Sequence, residues 1–300
     1  MLKAGIIGLP QAGKTTLFRI MTRAHGAGLT TGKPEARVGV VSVPDARLDR
    51  LSSMFNPRKT VRATVEYVDT PGSVIDLLRA GPQSGALREM QALVHVVRLP
   101  GSEGNVPAGP ARDIENVELE LILSDLGVAE KRLERLEKDV KKQKSPLLEE
   151  ELQALHFCKA CLEKQQPLRE VALEPEHERA IRGFTFLSQK PVLYALNLDE
   201  KDATRTEAAD GFAAAAGVKQ RSRTAVTAIC GSVESELAEL SEQEAAEFMA
   251  SFGLKESAIA RVIRSTYQLL GLISFFTVGE DECRAWTIRS GATAWDSAAE

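Results

Sequence analysis

The residues with the clearest chemistry are GLPQAGKT, at positions 8–15. They fit the pattern G-x-x-x-x-G-K-[S/T], with an apolar run before them and a helical pattern after them. In such a loop the glycines let successive backbone N–H groups point inward at a phosphate, and the positive end of the following helix faces the same place. Lys14 can place its charge at the β- and γ-phosphates, and Thr15 can place its hydroxyl on Mg²⁺. The sequence here predicts a nucleoside-phosphate site instead of a chance glycine turn.

A second motif, DTPG, occupies residues 69–72 and follows the apolar run VEYV. If that run is a strand of the same sheet, Asp69 lies at its carboxyl end, opposite the loop described above. A carboxylate there can hold Mg²⁺ through water, and Gly72 can offer its backbone N–H to a γ-phosphate. We therefore predict Asp69 as a metal residue, and Gly72 as a catalytic residue together with Lys14.

The third motif is NLDE, at residues 197–200, after the apolar run PVLYAL. GTPases with this type of loop carry N-K-x-D there, and their Asp accepts hydrogen bonds from N1–H and the 2-amino group of guanine. In this chain Leu198 replaces the Lys and Glu200 replaces the Asp, and the longer side chain of Glu disturbs a bidentate contact with guanine. Adenine offers an amino donor and a ring acceptor that this loop can meet. The motif favours ATP, and GTP stays the alternative.

The elements that must position these motifs are short apolar runs separated by helical segments. Strands are predicted at residues 3–8, 38–43, 63–68, 93–97, 191–196 and 225–229, with a helix at 14–24. A further strand pair is predicted on both sides of the Gly-Glu-Asp turn at 279–281. Strands alternating with helices predict a doubly wound α/β sheet.

Residues 112–180 interrupt this alternation. Apolar residues recur at spacings of three and four, which is a heptad pattern: Leu119, Ile122, Leu126, Ala129, Leu133, Leu136 and Val140. Ser145 and Pro146 then mark a new helix start, and a second leucine stripe follows. We predict an inserted antiparallel helical hairpin with an arm of roughly 45 Å. Because the two stripes can pair within one chain, a monomer is favoured over a dimer.

Composition excludes some classes of protein. The 300 residues include 38 Lys+Arg and 42 Asp+Glu, a net charge of −4, which argues against a protein that coats nucleic acid but permits a local basic patch. No run of 18 apolar residues is present, so no membrane span is predicted, and the first apolar run is interpreted as a buried strand instead of a signal peptide. With only four cysteines, the cytosol is the favoured compartment.

Three other features have alternative readings. Basic residues gather toward the predicted hairpin tip, where they form either a solvated helix face or a contact for RNA: Lys131, Arg132, Arg135, Lys138, Lys141, Lys142 and Lys144. Cys158 and Cys161 form a single C-x-x-C pattern, for which a buried small side chain is favoured over a metal or redox site. His95, inside LVHVV, is read as a core histidine instead of a catalytic one.

The motifs and the insertion together resemble the Obg-like ATPase (YchF) family. The resemblance is carried by VGVVSVPDARLDRL, ATVEYVDTPG, KPVLYALNLDE and LLGLISFFTVGEDECRAWTIR, and covers nearly the whole chain. It implies a Ras-like P-loop NTPase domain at 1–111 and 181–272, a helical hairpin at 112–180, and the start of a ubiquitin-like TGS domain at 273–300. It also implies slow ATP hydrolysis with Mg²⁺ and an association with ribosomes and translation.

By position, the resemblance also implies site residues. The phosphate cradle falls on Gln11, Ala12, Gly13, Lys14, Thr15 and Thr16, and the Mg²⁺ ligands fall on Thr15 and Thr31. The adenine contacts fall on Asn197, Leu198 and Glu200, with Cys230, Gly231 and Ser232 nearby.

Departures from the family pattern leave the activity open. Gln11 replaces an Asn that is tied to activation by K⁺, so a K⁺ requirement is left undecided. Ser73 follows the DTPG motif, where it is too short to orient a water as the Gln of Ras-type enzymes does. A segment that often contains a His is replaced by LPGSEGNVPAG. Three hypotheses follow: a slow ATPase switch, a GTPase of the same fold, and a nucleotide-binding adaptor with negligible hydrolysis.

Overall fold

The computed structural model describes residues 2–24, 37–70, 72–79, 85–99, 109–142, 145–218 and 221–299. Its strands are β1 (Lys3–Ile7), β2 (Arg37–Ser42), β3 (Lys59–Val61), β4 (Thr64–Asp69), β5 (Ala92–Arg98), β6 (Val192–Asn197), β7 (Thr224–Ile229), β8 (Leu272–Val278) and β9 (Glu282–Arg289). Its helices are α1 (Lys14–Ala24), α2 (Ala46–Phe55), α3 (Val74–Arg79), α4 (Gly85–Arg88), α5 (Pro110–Lys142), α6 (Pro146–Glu163), α7 (Pro175–Ile181), α8 (Ala209–Ala215), α9 (Gly231–Leu237), α10 (Glu242–Ser251), α11 (Ala258–Leu269) and α12 (Ala294–Ala299). Within these ranges, every helix is too short or too polar to span a bilayer.

The central sheet has the strand order β2–β4–β1–β5–β6–β7. All neighbouring pairs are parallel except β2 with β4, which is antiparallel. The register places Ile6 beside Asp69 and Arg98 beside Asn197. The predicted doubly wound α/β fold is confirmed, and the carboxyl ends of its parallel strands carry the three motifs to one edge.

Helices cover both faces of this sheet because each presents an apolar stripe. On one face, Leu17 and Met21 of α1 pack with Ile263 of α11 in a fully buried cluster. On the other face, Leu93 and Val97 of β5 lie in a cluster with α3 and α8 side chains. Burial of each such side chain stabilises the folded state by about 1.5–3 kcal/mol, so the sheet that carries the motifs is firmly packed on both faces.

The inserted hairpin is formed by α5 and α6. Helix α5 is continuous over 33 residues, and its distal half packs against α6 through the predicted seam, with Leu133 and Leu136 buried. Its first half carries a second stripe that the heptad pattern did not reveal: Ile114, Val117 and Leu121 lie in the core cluster of the central sheet. One helix therefore belongs to both cores, and the proposed division between residues 111 and 112 falls inside its first turn.

A buried carboxylate ties α5 to the sheet. Asp125 is fully buried, and its oxygens accept hydrogen bonds from the backbone N–H groups of Leu187 (2.9 Å) and Ser188 (2.7 Å). Its Oδ1 also accepts from Nη1 of Arg88, at 2.8 Å. Asp125 thus forms an ion pair and two backbone hydrogen bonds where the insertion meets the nucleotide domain.

Strands β8 and β9 join β3 in a second, three-stranded sheet, in the order β3–β9–β8. The predicted pairing of β8 with β9 is confirmed, and β9 also pairs in parallel with β3, which the sequence did not predict. Cys283 and Ala285 of β9 are buried in the same cluster as α1 and α11. This hairpin, within residues 273–300, therefore packs on the nucleotide domain.

Candidate nucleotide-binding site

The loop between β1 and α1 has the backbone that a phosphate cradle needs. Gly8 has φ +148°, and a β-carbon there would lie 2.5 Å from the carbonyl oxygen of Val96. Gly13 has φ +103°, and a β-carbon would lie 2.5 Å from Nδ2 of Asn197. Gln11 also has a left-handed φ, of 63°. With glycine required at both positions, the loop turns tightly and leads into α1, whose first residue is Lys14.

Lys14 lies inside this loop and is only 6% exposed. Its Nζ donates a hydrogen bond to the carbonyl oxygen of Leu9, at 2.8 Å. Burial lowers the pKa of Lys14, while the charge of Asp69 acts in the opposite direction. A buried ammonium group held at the loop can form a charge-assisted hydrogen bond with a phosphate that binds there.

Thr15 and Asp69 meet as the magnesium prediction requires. The Thr15 hydroxyl donates to Oδ2 of Asp69 at 3.2 Å, and Asp69 is 2% exposed. Its Oδ1 is buried without a hydrogen-bond partner among the described residues. Burial raises the pKa of Asp69, and the hydrogen bond from Thr15 opposes that rise. A buried carboxylate oxygen that lacks a donor beside a threonine hydroxyl fits a hydrated Mg²⁺ ion.

The remaining residues predicted for hydrolysis and metal binding lie on adjacent loops. Thr70 anchors the DTPG loop, because its hydroxyl donates to the carbonyl oxygen of Ile6 at 2.6 Å. Gly72 follows with φ +79° and with nothing within 4 Å of the position that a β-carbon would take. Thr31 lies outside the described residues.

Asn197 connects the phosphate loop with the loop after β7. Its Nδ2 donates to the carbonyl oxygen of Ala12 at 3.0 Å, and its Oδ1 accepts from the N–H of Gly231 at 3.1 Å. Asn197 was predicted as a base contact, which stays a prediction. Its contacts show that it also holds two loops together, so the sequence identified the residue but missed this positioning role.

An open cavity of about 610 Å³ joins the phosphate loop to the NLDE motif. Its lining consists of Gln11, Gly13, Thr16, Arg98, Asn197, Leu198, Asp199, Glu200, Lys201, Gly231 and Ser232. Cys230 is buried beneath it, with Sγ 3.3 Å from Oγ of Ser232. Arg98, Asp199 and Lys201 were not predicted. Arg98 was recognisable as the polar residue that ends an apolar run, since such positions lie at the carboxyl edge of a parallel sheet.

Comparisons with known proteins agree with this geometry. A family model described as 50S ribosome-binding GTPase matches residues 3–148, and the model YchF-GTPase_C, described as a protein of unknown function (DUF933), matches residues 272–300. A Bacillus subtilis protein named ribosome-binding ATPase YchF is 34% identical over 304 residues, with coverage of 98% of this chain and 82% of that protein. A Haemophilus ducreyi protein of the same name is 36% identical, with coverage of 99% and 84%. The chain belongs to the YchF family.

A solved YchF structure has the same fold. The Schizosaccharomyces pombe YchF GTPase superimposes with a TM-score of 0.78 at 28% identity, covering 99% of this chain and 83% of the other. The predicted Obg-like family and P-loop NTPase fold are confirmed. Residues 272–300, which contain the β8–β9 pair, carry the YchF-type C-terminal region.

In this YchF chain, substitution of Gly13 is expected to impair nucleotide binding. Gly13→Ala forces a residue with a β-carbon into φ +103° and against the Asn197 amide. The strained loop costs on the order of 1–3 kcal/mol, so a nucleotide affinity about tenfold or more lower is expected from titration with a fluorescent ATP analogue. Gly127→Ala, on the exposed face of α5 where a β-carbon meets nothing within 4 Å, is the matched control. Equal affinity of the two variants would contradict the strained-loop explanation.

Cys158 and His95, which lie outside the site, are buried as predicted for core residues. Cys158 is fully buried, and burial raises the pKa of its thiol to about 12, so it is protonated and packed. Among the described residues, no cluster of three or more His, Cys, Asp or Glu side chains is arranged for a metal ion. His95 is 3% exposed, with its ring centroid 5.7 Å from that of Tyr194.

Acid is expected to destabilise the protein through His95. Burial lowers the pKa of His95 to about 3, against 6.5 in the unfolded chain, so the unfolded state binds its proton first as the pH falls. The stability contributed by neutral His95 is therefore present above pH 6.5 and is lost between pH 6.5 and 3. About 2 kcal/mol should disappear between pH 7 and 5, measured by urea unfolding. His95→Gln removes the titrating group, and an equal loss in that variant would show that other groups cause it.

Proposed function

We propose that this chain binds ATP in preference to GTP and hydrolyses it slowly with Mg²⁺, as a nucleotide switch that associates with the ribosome in the cytosol. The observation that carries the proposal is the cavity that joins the phosphate loop to Leu198 and Glu200. Because the base-side motif lies against the phosphate loop, one nucleotide reaches both.

The preference for ATP rests on the base side of the cavity. Leu198 is 5% exposed, and its backbone N–H donates to the carbonyl oxygen of Ile229 at 2.8 Å. Glu200, which is exposed, begins a short 3₁₀ helix directly after this loop. A carboxylate on this longer side chain fits the two guanine donors poorly, whereas the loop retains donors and acceptors for the adenine edge. Specificity therefore comes mainly from the rejection of guanine.

Slow hydrolysis follows from the groups that this chain supplies. Phosphoryl transfer depends on positioning and on neutralisation of charge. Lys14 holds the phosphates, Thr15 and Asp69 hold the metal, and Gly72 offers a backbone N–H toward the γ-phosphate. Mg²⁺, when bound with the nucleotide, neutralises the charge on the phosphate oxygens. Ser73 supplies no long side chain to orient a water, so turnover without a partner is slow. The requirement for K⁺ stays open, since Gln11 replaces the Asn that the family uses.

Ribosome association is proposed through the distal half of α5. Lys131, Arg135, Lys138 and Lys141 are exposed there. Arg132 is instead bonded to Glu151, with Nε–Oε1 2.7 Å and Nη2–Oε2 2.9 Å. Exposed cations without an ion pair to a described residue suit contact with RNA phosphates, and curated relatives are named ribosome-binding ATPases. Lys144 lies outside the described residues, and a monomeric state stays a prediction.

A competition titration tests the nucleotide preference. ATP and GTP displace a fluorescent ATP analogue in the presence of Mg²⁺, and ATP should bind about tenfold more tightly, equal to 1.4 kcal/mol. The double variant Leu198→Lys, Glu200→Asp restores N-K-x-D and should shift the preference toward GTP. A wild-type preference for GTP would establish the GTPase alternative, which the names of the Schizosaccharomyces pombe YchF GTPase and of the GTPase family model also support. ATP binding without release of phosphate would establish the adaptor alternative.

A further inference from the structure

A second cavity lies at the other end of the central sheet. It has a volume of about 540 Å³ and opens beside Gln91 and Pro191, which directly precede β5 and β6. Its walls come from three parts of the chain: the sheet, the turn after α7, and the link from α11 to β8 together with the end of β9. We call it the basal cleft. It shares no lining residue with the nucleotide cavity.

The charges around the basal cleft are mostly positive. Five cationic side chains line it, Arg88, Lys190, Arg182, Arg223 and Arg289, against two carboxylates, Glu89 and Glu178. Arg88 is neutralised by Asp125, and the charge of Glu178 acts on Arg223. Arg182 and Arg289 are exposed and form no ion pair with a described residue. The cleft therefore has an excess of positive charge that the described part of the chain leaves unbalanced.

Lys190 is a buried cation in the wall of this cleft. The residue is 8% exposed, and its Nζ donates to the carbonyl oxygens of Met90 (2.5 Å) and Arg88 (2.9 Å). An ammonium group has three donors, so one stays available after these two bonds. Burial lowers the pKa of Lys190 to about 8, which reflects the cost of a buried charge that the charge of Asp125 offsets only in part. An anion at this position offsets that cost.

We propose that the basal cleft binds a phosphate-bearing small molecule, with Lys190 at the wall and Arg182 and Arg289 at the rim. Guanidinium groups form paired hydrogen bonds to phosphate oxygens, and an ammonium group adds a point charge. The half-buried Leu269 and Leu270 give the cleft an apolar side, so the ligand carries an apolar part beside its phosphate. The volume lies within the range of about 300–1,000 Å³ that is usual for small-molecule sites. A ligand here contacts the sheet, the insertion and the C-terminal strands together.

Calorimetric titration with inorganic pyrophosphate tests the proposal. The host is the full chain carrying Lys14→Ala, so that the phosphate loop contributes little to the signal. The double variant Arg182→Glu, Arg289→Glu is made in that host. Because both arginines are exposed, the fold should be unaffected, which circular dichroism and thermal unfolding verify. We expect saturable binding by the host and at least a tenfold weaker affinity in the double variant, since two phosphate contacts become repulsive.

Arg50→Glu in the same host is the matched control. It places one such charge reversal at an exposed residue of α2 that does not line the cleft, and should leave the affinity for pyrophosphate within about twofold of the host value. A host that binds no pyrophosphate would overturn the proposal. Equal affinity of the host and the double variant would also overturn it. A loss of affinity as large in Arg50→Glu would show that the effect comes from the overall charge of the protein, and would exclude a specific site in the cleft.

Discussion

Lys14→Ala is expected to weaken ATP binding by about a hundredfold or more, because the variant removes the one ammonium group enclosed by the phosphate loop. Loss of one partner of a buried, hydrogen-bonded charge pair costs about 2–5 kcal/mol. Lys14 is 6% exposed and already held at the carbonyl of Leu9, so little ordering is needed when a phosphate arrives. Fluorescence anisotropy with a labelled ATP analogue and Mg²⁺ measures the effect.

Lys164→Ala provides the comparison for this experiment. Lys164 is an exposed lysine just beyond the end of α6, far in sequence from all three motifs. The Lys164→Ala variant removes the same charge and should leave the affinity for ATP unchanged. A Lys14→Ala chain that binds ATP within threefold of wild type would mean that the loop does not hold the phosphates, and the proposed site would have to be abandoned.

Asp125→Ala is expected to lower the free energy of unfolding by about 3–5 kcal/mol. The variant leaves Arg88 without its carboxylate at the junction of the insertion and the sheet. It also leaves the backbone N–H groups of Leu187 and Ser188 buried without an acceptor. Urea unfolding followed by circular dichroism gives the difference.

Two variants separate the causes of that loss. Asp125→Asn keeps a carbonyl acceptor but removes the charge, so it should lose less stability than Asp125→Ala. Asp139→Ala removes an exposed carboxylate further along α5 and should change stability by less than about 0.5 kcal/mol. A cost for Asp125→Ala as small as that of Asp139→Ala would show that the buried network contributes little.

The nucleotide cavity could be assembled from the sequence because parallel strands bring their carboxyl ends to one edge. Each of the three motifs follows an apolar run, so recognition of the sheet places all three at the same edge. The cavity contains residues of the phosphate loop and of the NLDE motif but none of the DTPG motif. The double role of Asn197 was missed because a side-chain bond from Nδ2 to the carbonyl of Ala12 has no signature in spacing.

Other features escaped the sequence for physical reasons. Strand β3 has three residues and no apolar alternation, and it exists because β9 pairs with it. The stripe of Ile114, Val117 and Leu121 was missed, since the longer heptad pattern of the same helix begins at Leu119 and uses other residues. The basal cleft combines residues from distant parts of the chain, whose meeting only the tertiary structure reveals.

The pairing of β3 with β9 has a consequence for the order of events during synthesis. Lys59 and Glu282 are partners in this sheet, although about three quarters of the chain separates them. Contacts of such long sequence separation form late, since the entropy of loop closure must be offset by many contacts at once. While the chain emerges, the nucleotide domain lacks Cys283 and Ala285 in its main core. The core is therefore completed only after β9 has left the ribosome, and a nascent chain that stalls earlier exposes an unfinished apolar surface to chaperones.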